Sequence, residues 1–271
     1  MGIAEVVPGV SGGTIAFISG IYQELIDTLA GLRPKSFMVL IREGPRAFWT
    51  AHNLTFLLVL VLGMATGIAL FSQLLSTLLA VAKPVVWAFF FGVIASSILV
   101  LAWPRERKLF LFFAPLGLVL GGVVSQLEPM ASSATMWSYF IGGTIAVSAW
   151  LLPAVSGSFL LLIMGLYENV LAAVAELNWP ILFSLGAGCI VGLGAFANLL
   201  SWLLHRYREQ VVGVLTGFML GSLWRLWPWA SDGLLTPEAY VAATGDSAWL
   251  VGCGVAAVSG MLAVWLLTRL E

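Results

Sequence analysis

PGVSGGTIAFISGIY, from Pro8 to Tyr22, and PAVSGSFLLLIMGLY, from Pro153 to Tyr167, are one phrase written twice at an offset of 145 residues. Pro, Val, Ser, Gly, Ile, Gly and Tyr recur in register. Each copy sits in an apolar region, Met1 to Gly31 or Ser138 to Ala175, that its Pro and Gly/Ser cluster interrupts. Proline has no N–H to give and clashes with the preceding turn, so neither region reads as a continuous helix. In lipid, an interrupted backbone is tolerated only where it is buried in protein or lines a cavity. Both regions are therefore expected to be broken helical hairpins, either re-entrant or made of two short crossings.

The repetition extends beyond the two phrases with shorter offsets. Gly63 and Ser72 match Gly192 and Ser201, Gly92 and Ser97 match Gly217 and Ser222, and Trp103-Pro104 matches Trp227-Pro228. Apolar stretches long enough, or nearly so, to cross about 30 Å of hydrocarbon run from Leu54 to Ala80, Val85 to Trp103, Leu109 to Val124, Ile181 to Leu204, Val211 to Trp227 and Ala248 to Thr268. The reading is an all-α polytopic membrane protein with a single transporter domain, 1–271, built from two repeats, 1–125 and 138–271. Each repeat has a broken hairpin followed by three transmembrane helices.

Lys and Arg in short loops mark the cytoplasmic side. Arg33, Lys35, Arg42 and Arg46 share one loop, Arg105, Arg107 and Lys108 another, Arg206 and Arg208 a third. The segments holding Glu128 and then Asp232, Glu238 and Asp246 have neither Lys nor Arg and fall on the opposite side, with Lys83 the exception. Counted through, the first hairpin opens to the cytoplasm and the second to the outside, so the two repeats are inverted. Inverted repeats with discontinuous helices are the architecture of secondary transporters, with the substrate site between the broken helices.

Composition agrees with lipid as the solvent. The chain of 271 residues is 61% hydrophobic and 9% charged, with a mean hydropathy of +1.03, whereas soluble domains carry about 25% charged residues. Lys+Arg 12 against Asp+Glu 13 gives a net charge of -1, which leaves no basic excess for nucleic acid. Cys189 and Cys253 lie in apolar runs and read as small hydrophobes. The first residues, MGIAEVVPGVSGG, have no basic n-region and are not expected to act as a signal peptide. Seven residues precede Pro8 while about fifteen apolar ones precede Pro153. The expectation is either an arm that begins upstream of Met1 or a short arm and a looser site.

Four groups of residues carry candidate chemistry. Ser11, Gly12, Gly13 and Thr14, and in the other repeat Ser156, Gly157 and Ser158, begin helices. Successive N–H groups and hydroxyls there suit a phosphate or carboxylate, or serve as helix caps. Glu5, three residues before Pro8, and Glu24 and Glu168, just after the matched tyrosines, are candidates for coupling to H⁺ or Na⁺, because intramembrane carboxylates are functional by default. Glu24 and Glu168 fit the ends of the hairpins equally well. Arg225, within LWRLWPW, is placed to bind a lipid phosphate or to snorkel from an aromatic belt. Arg46, His52 and His205 read as interfacial anchors. No His/Asp/Glu cluster has metal-ligand spacing, no GxSxG or P-loop is present, and no cofactor is implied. The Gly217/Gly221 spacing serves packing within one subunit as well as a dimer seam.

On MGIAEVVPGVSGGT, GIYQELI, LPAVSGSF, GLYENVL and GFMLGSLWRLWPW, the chain resembles the PopT-type undecaprenyl phosphate translocases, bacterial membrane proteins formerly known only as a domain of unknown function. The resemblance implies a lipid flippase of the bacterial inner membrane. It would return undecaprenyl phosphate, the carrier of peptidoglycan and other envelope polymers, from the outer to the cytoplasmic leaflet. It places Pro8, Gly9, Ser11, Gly12, Gly13 and Thr14 on the first family motif and Pro153, Ser156, Gly157, Ser158 and Phe159 on the second. Ala154 stands where the family usually has Gly, and Glu5 where it usually has Asp. One alternative is an undecaprenyl pyrophosphate phosphatase-like enzyme, but that family's loop has an Arg directly after the Ser, where Gly12 and Gly157 stand here. A carrier of a small soluble anion is the other alternative.

Overall fold

A computed structural model describes residues 1–5, 11–33, 36–102, 107–127, 135–153, 155–230 and 235–269. Pro8, Gly9, Lys35, Trp103, Pro104, Arg105, Glu128, Ala154 and Asp232 lie outside the described residues. The regular elements of the described residues are helices: α1 (Gly2–Glu5), α2 (Gly12–Ile18), α3 (Tyr22–Gly31), α4 (Phe37–Glu43), α5 (Pro45–Ala51), α6 (Leu54–Val81), α7 (Lys83–Ala102) and α8 (Arg107–Ser125) are followed by α9 (Met136–Leu151), α10 (Gly157–Ile163), α11 (Tyr167–Ala175), α12 (Trp179–Arg206), α13 (Arg208–Ser222), α14 (Pro237–Thr244) and α15 (Leu250–Leu267). The protein is an all-α, multi-pass membrane protein.

Among the described residues five helices, α6, α7, α8, α12 and α15, are long and apolar enough to cross a membrane. The sixth expected span, Val211 to Trp227, is not one α-helix. α13 stops at Ser222 after 15 residues, and one 3₁₀ turn, Leu223–Leu226, carries the chain on. The cause is local: Pro228 drives the residue before it out of the helical region, and Trp227 is extended at φ -58, ψ 125.

Both interrupted regions are broken in the same way. A short helix (α2 or α10) and the next (α3 or α11) are separated at a glycine in the left-handed region, Gly20 at φ 70 and Gly165 at φ 65. A side chain there would meet the following carbonyl, so the repeated glycine of the two phrases is a requirement of the turn. α10 and α11 form an angle of 112°.

Without a hydrophobic force between helices in lipid, association depends on close backbone approach, and glycines provide it. A Cβ on Gly217 of α13 would strike the Ala114 carbonyl of α8, and one on Gly221 the Leu118 carbonyl. The Gly217/Gly221 pair is thus a seam within the chain. α7 and α15 approach equally closely, Gly92 against Ala257 and Gly260 against Phe89. Both seams join an element of 1–125 to one of 138–271. Where the halves meet again, Tyr22, Leu25 and Ile26 of α3 pack with Leu151 of α9 and Ala197, Leu200 and Leu204 of α12.

Candidate functional site

α1 is a four-residue helix that ends at Glu5. The carboxylate of Glu5 turns toward the start of α2, where its Oε1 accepts from the backbone N–H of Gly12 at 2.8 Å and from the indole Nε1–H of Trp150 at 2.8 Å. A Cβ on Gly12 would fall on that same oxygen. The glycine is what lets the carboxylate reach the backbone.

Ser11 is the N-cap of α2, extended at φ -110, ψ 136, and its Oγ accepts from the Gly13 N–H at 3.1 Å. Ser11 is 1% and Thr14 0% exposed. The last turn of a helix leaves carbonyls without intrahelical partners, and at the end of α9 the first half supplies them. The Ser11 hydroxyl donates to the Leu152 carbonyl at 3.4 Å, and the Tyr22 hydroxyl to the Leu151 carbonyl at 2.8 Å. The first Ser-Gly loop is therefore docked on Trp150–Leu152, the residues that lead into buried Pro153 and the second loop.

The second loop is disposed differently. Ser156 holds the N-cap position of α10 without capping it, and its Oγ lies 2.8 Å from the Oγ of Ser158, which is exposed. Gly157 packs on the Ala146 carbonyl of α9. The guanidinium carbon of Arg225 stands 4.1 Å from the ring centroid of Phe159, the residue after Ser158, and Nη1 donates to the Ser125 carbonyl at 2.7 Å. A half-buried cation is thus held against the Phe159 ring of α10 by stacking and one backbone bond.

The structure gathers Glu5 with the Ser11–Thr14 helix start through Gly12, and sets Arg225 on the ring of Phe159, next in sequence to Ser158. It does not bring the other two carboxylates to Glu5's seat. Glu24 is exposed and accepts from Asn53 Nδ2 at 2.7 Å, and Glu168 is exposed on the first turn of α11. Two groups escaped the sequence reading. Trp150 carried a signal, since it stands at the repeat offset from Glu5. Asp27 did not; its Oδ1 accepts from the Ser201 hydroxyl at 2.6 Å and its Oδ2 lies 3.6 Å from His205 Nε2, which ties α3 to α12. Among the described residues no three His, Cys, Asp or Glu are grouped to hold a metal ion. Cys189 and Cys253 are free thiols.

The family model described as "VCA0040-like: Undecaprenyl phosphate translocase-like" matches residues 1–247. A polyprenyl-phosphate transporter of Vibrio cholerae is 40% identical over 231 residues, covering 84% of this chain and 75% of the relative. One of Staphylococcus aureus is 30% identical over 248 residues, covering 84% of this chain and 83% of the relative. No solved structure matches the chain.

Proposed function

The chain belongs to the undecaprenyl phosphate translocase-like family, a family of transporters rather than enzymes, and from that membership we propose that it carries a polyprenyl phosphate across the bacterial inner membrane. The direction is from the outer to the cytoplasmic leaflet, which returns the carrier lipid, undecaprenyl phosphate, to peptidoglycan and envelope polymer synthesis. A polyprenyl tail stays in lipid throughout the passage. Only the phosphate head needs polar groups, and these come from the two Ser-Gly loops.

The observation that carries this reading is the asymmetry between the loops. The hydroxyls of the first are buried and engaged, while Ser158 is exposed, Ser156 is free of any capping role, and Arg225 stacks on Phe159, the residue after Ser158. Arg recognises phosphate through a planar fork of donors. On the loop charges, the second hairpin faces outward, so the arrangement supports a state that receives the headgroup from the outer leaflet. The head then passes to Ser11, Gly12, Gly13 and Thr14 as the first loop opens to the cytoplasm. An inverted repeat makes the two states counterparts of one another. The matched left-handed turns at Gly20 and Gly165 and the matched seams at Gly92 and Gly217 support that symmetry. Glu5 takes up H⁺ or Na⁺ in step with the transfer, which offsets the charge of the phosphate.

The test is leaflet exchange of labelled undecaprenyl phosphate in proteoliposomes, with released inorganic phosphate recorded alongside. Wild type is expected to exchange the lipid without releasing phosphate, and the triple variant Ser156→Ala, Ser158→Ala, Arg225→Ala to lose at least about tenfold in rate. No exchange in wild type under any proton or sodium gradient removes the lipid substrate. Phosphate release points instead to hydrolysis, and competition by water-soluble phosphates to a small-anion carrier.

A further inference from the structure

Two donors converge on one oxygen of Glu5 from different directions. The Gly12 N–H belongs to the first loop, and the Trp150 Nε1–H reaches across from the last turn of α9, each at 2.8 Å. An indole N–H only donates. It therefore favours the ionised carboxylate and competes with a proton or a metal cation for Oε1. Among the described residues of the elements around Glu5, α2 and α6 have no titratable side chain, and α9 has only Tyr139.

We propose that Trp150 is the positioning residue of the Glu5 carboxylate: from the second half of the chain it seats the charged oxygen against the first loop and sets the cation concentration at which transport runs. This rests on the reading of Glu5 as the coupling group. The indole also packs on the cluster around Tyr22, Leu25 and Leu151, so the role must be separated from simple packing.

Trp150→Phe keeps a ring in that cluster and removes the donor. In proteoliposomes the proton or sodium concentration for half-maximal lipid exchange is expected to fall about tenfold, the effect of losing one hydrogen bond to a charged group. Tyr22→Phe cuts a bond of equal length to the adjoining Leu151 carbonyl and is expected to leave that concentration unchanged. Trp150→Gln, which retains a side-chain N–H donor without a titratable group, is expected to stay within about twofold of wild type, and it carries the test with Tyr22→Phe if the Phe variant does not accumulate. An unmoved value in Trp150→Phe, an equal shift in Tyr22→Phe, or a tenfold shift in Trp150→Gln overturns the proposal. Glu5→Gln separates the two levels. If that variant keeps the wild-type cation dependence, the coupling role of Glu5 falls and the positioning role with it. If Glu5→Gln flattens the dependence while Trp150→Phe leaves it unmoved, only the positioning role is lost.

Discussion

Glu5 and Trp150 are 145 residues apart, the separation that also relates Pro8 to Pro153, and they are hydrogen-bonded to one another. The bond joins α1 to the last turn of α9, so an acid near one Ser-Gly phrase is held by a donor at the matching distance from the other.

Glu5→Gln is expected to fold as wild type does, because the amide oxygen still accepts from Gly12 and Trp150. Its lipid exchange should no longer respond to an imposed proton or sodium gradient. Comparing exchange rates with and without each gradient checks this, and a response like that of wild type counts against Glu5 as the coupling group.

Ser11 and Ser156 occupy the same place in the two phrases but do different work. Ser11→Ala removes a buried cap and should lower stability by about 1 kcal/mol. Ser156→Ala removes no cap and should change stability by less than about 0.5 kcal/mol while slowing exchange. Thermal unfolding in detergent, measured beside transport, distinguishes the two; equal losses of stability would contradict the assignment.

Gly217→Val forces a branched side chain onto the Ala114 carbonyl across the α8–α13 seam. A cost of about 1–3 kcal/mol or more is expected, seen as a lower melting temperature. Gly194→Ala, where nothing lies within 4 Å of the added Cβ, should leave melting unchanged.

Arg225→Lys retains the charge but loses the planar stack on Phe159 and the fork of donors. Titration of the purified protein with a short-chain polyprenyl phosphate should show roughly tenfold weaker binding at unaltered stability. Unchanged binding would reduce Arg225 to an interfacial anchor.

Much of the fold was legible because its determinants act locally. Apolar length marks α6, α7, α8, α12 and α15 as spans, and the repeated Gly20 and Gly165 mark left-handed turns whatever surrounds them. Even the early end of α13 follows from Trp227-Pro228, though a count of apolar residues passes over it. Local rules could also single out the Ser-Gly loops as polar groups stranded in lipid. They could not apportion roles between them, since a serine at a helix start is equally a cap or a ligand until its neighbours are known. Tertiary structure decided that Ser11 is a buried cap and Ser156 is not, that Glu24 turns to Asn53, that Asp27 ties α3 to α12, and that Gly217 closes a seam within the chain. It also decided which donor meets Glu5. Each of these depends on which helix faces come together, and residues 145 apart become partners only when two halves of the chain fold against each other.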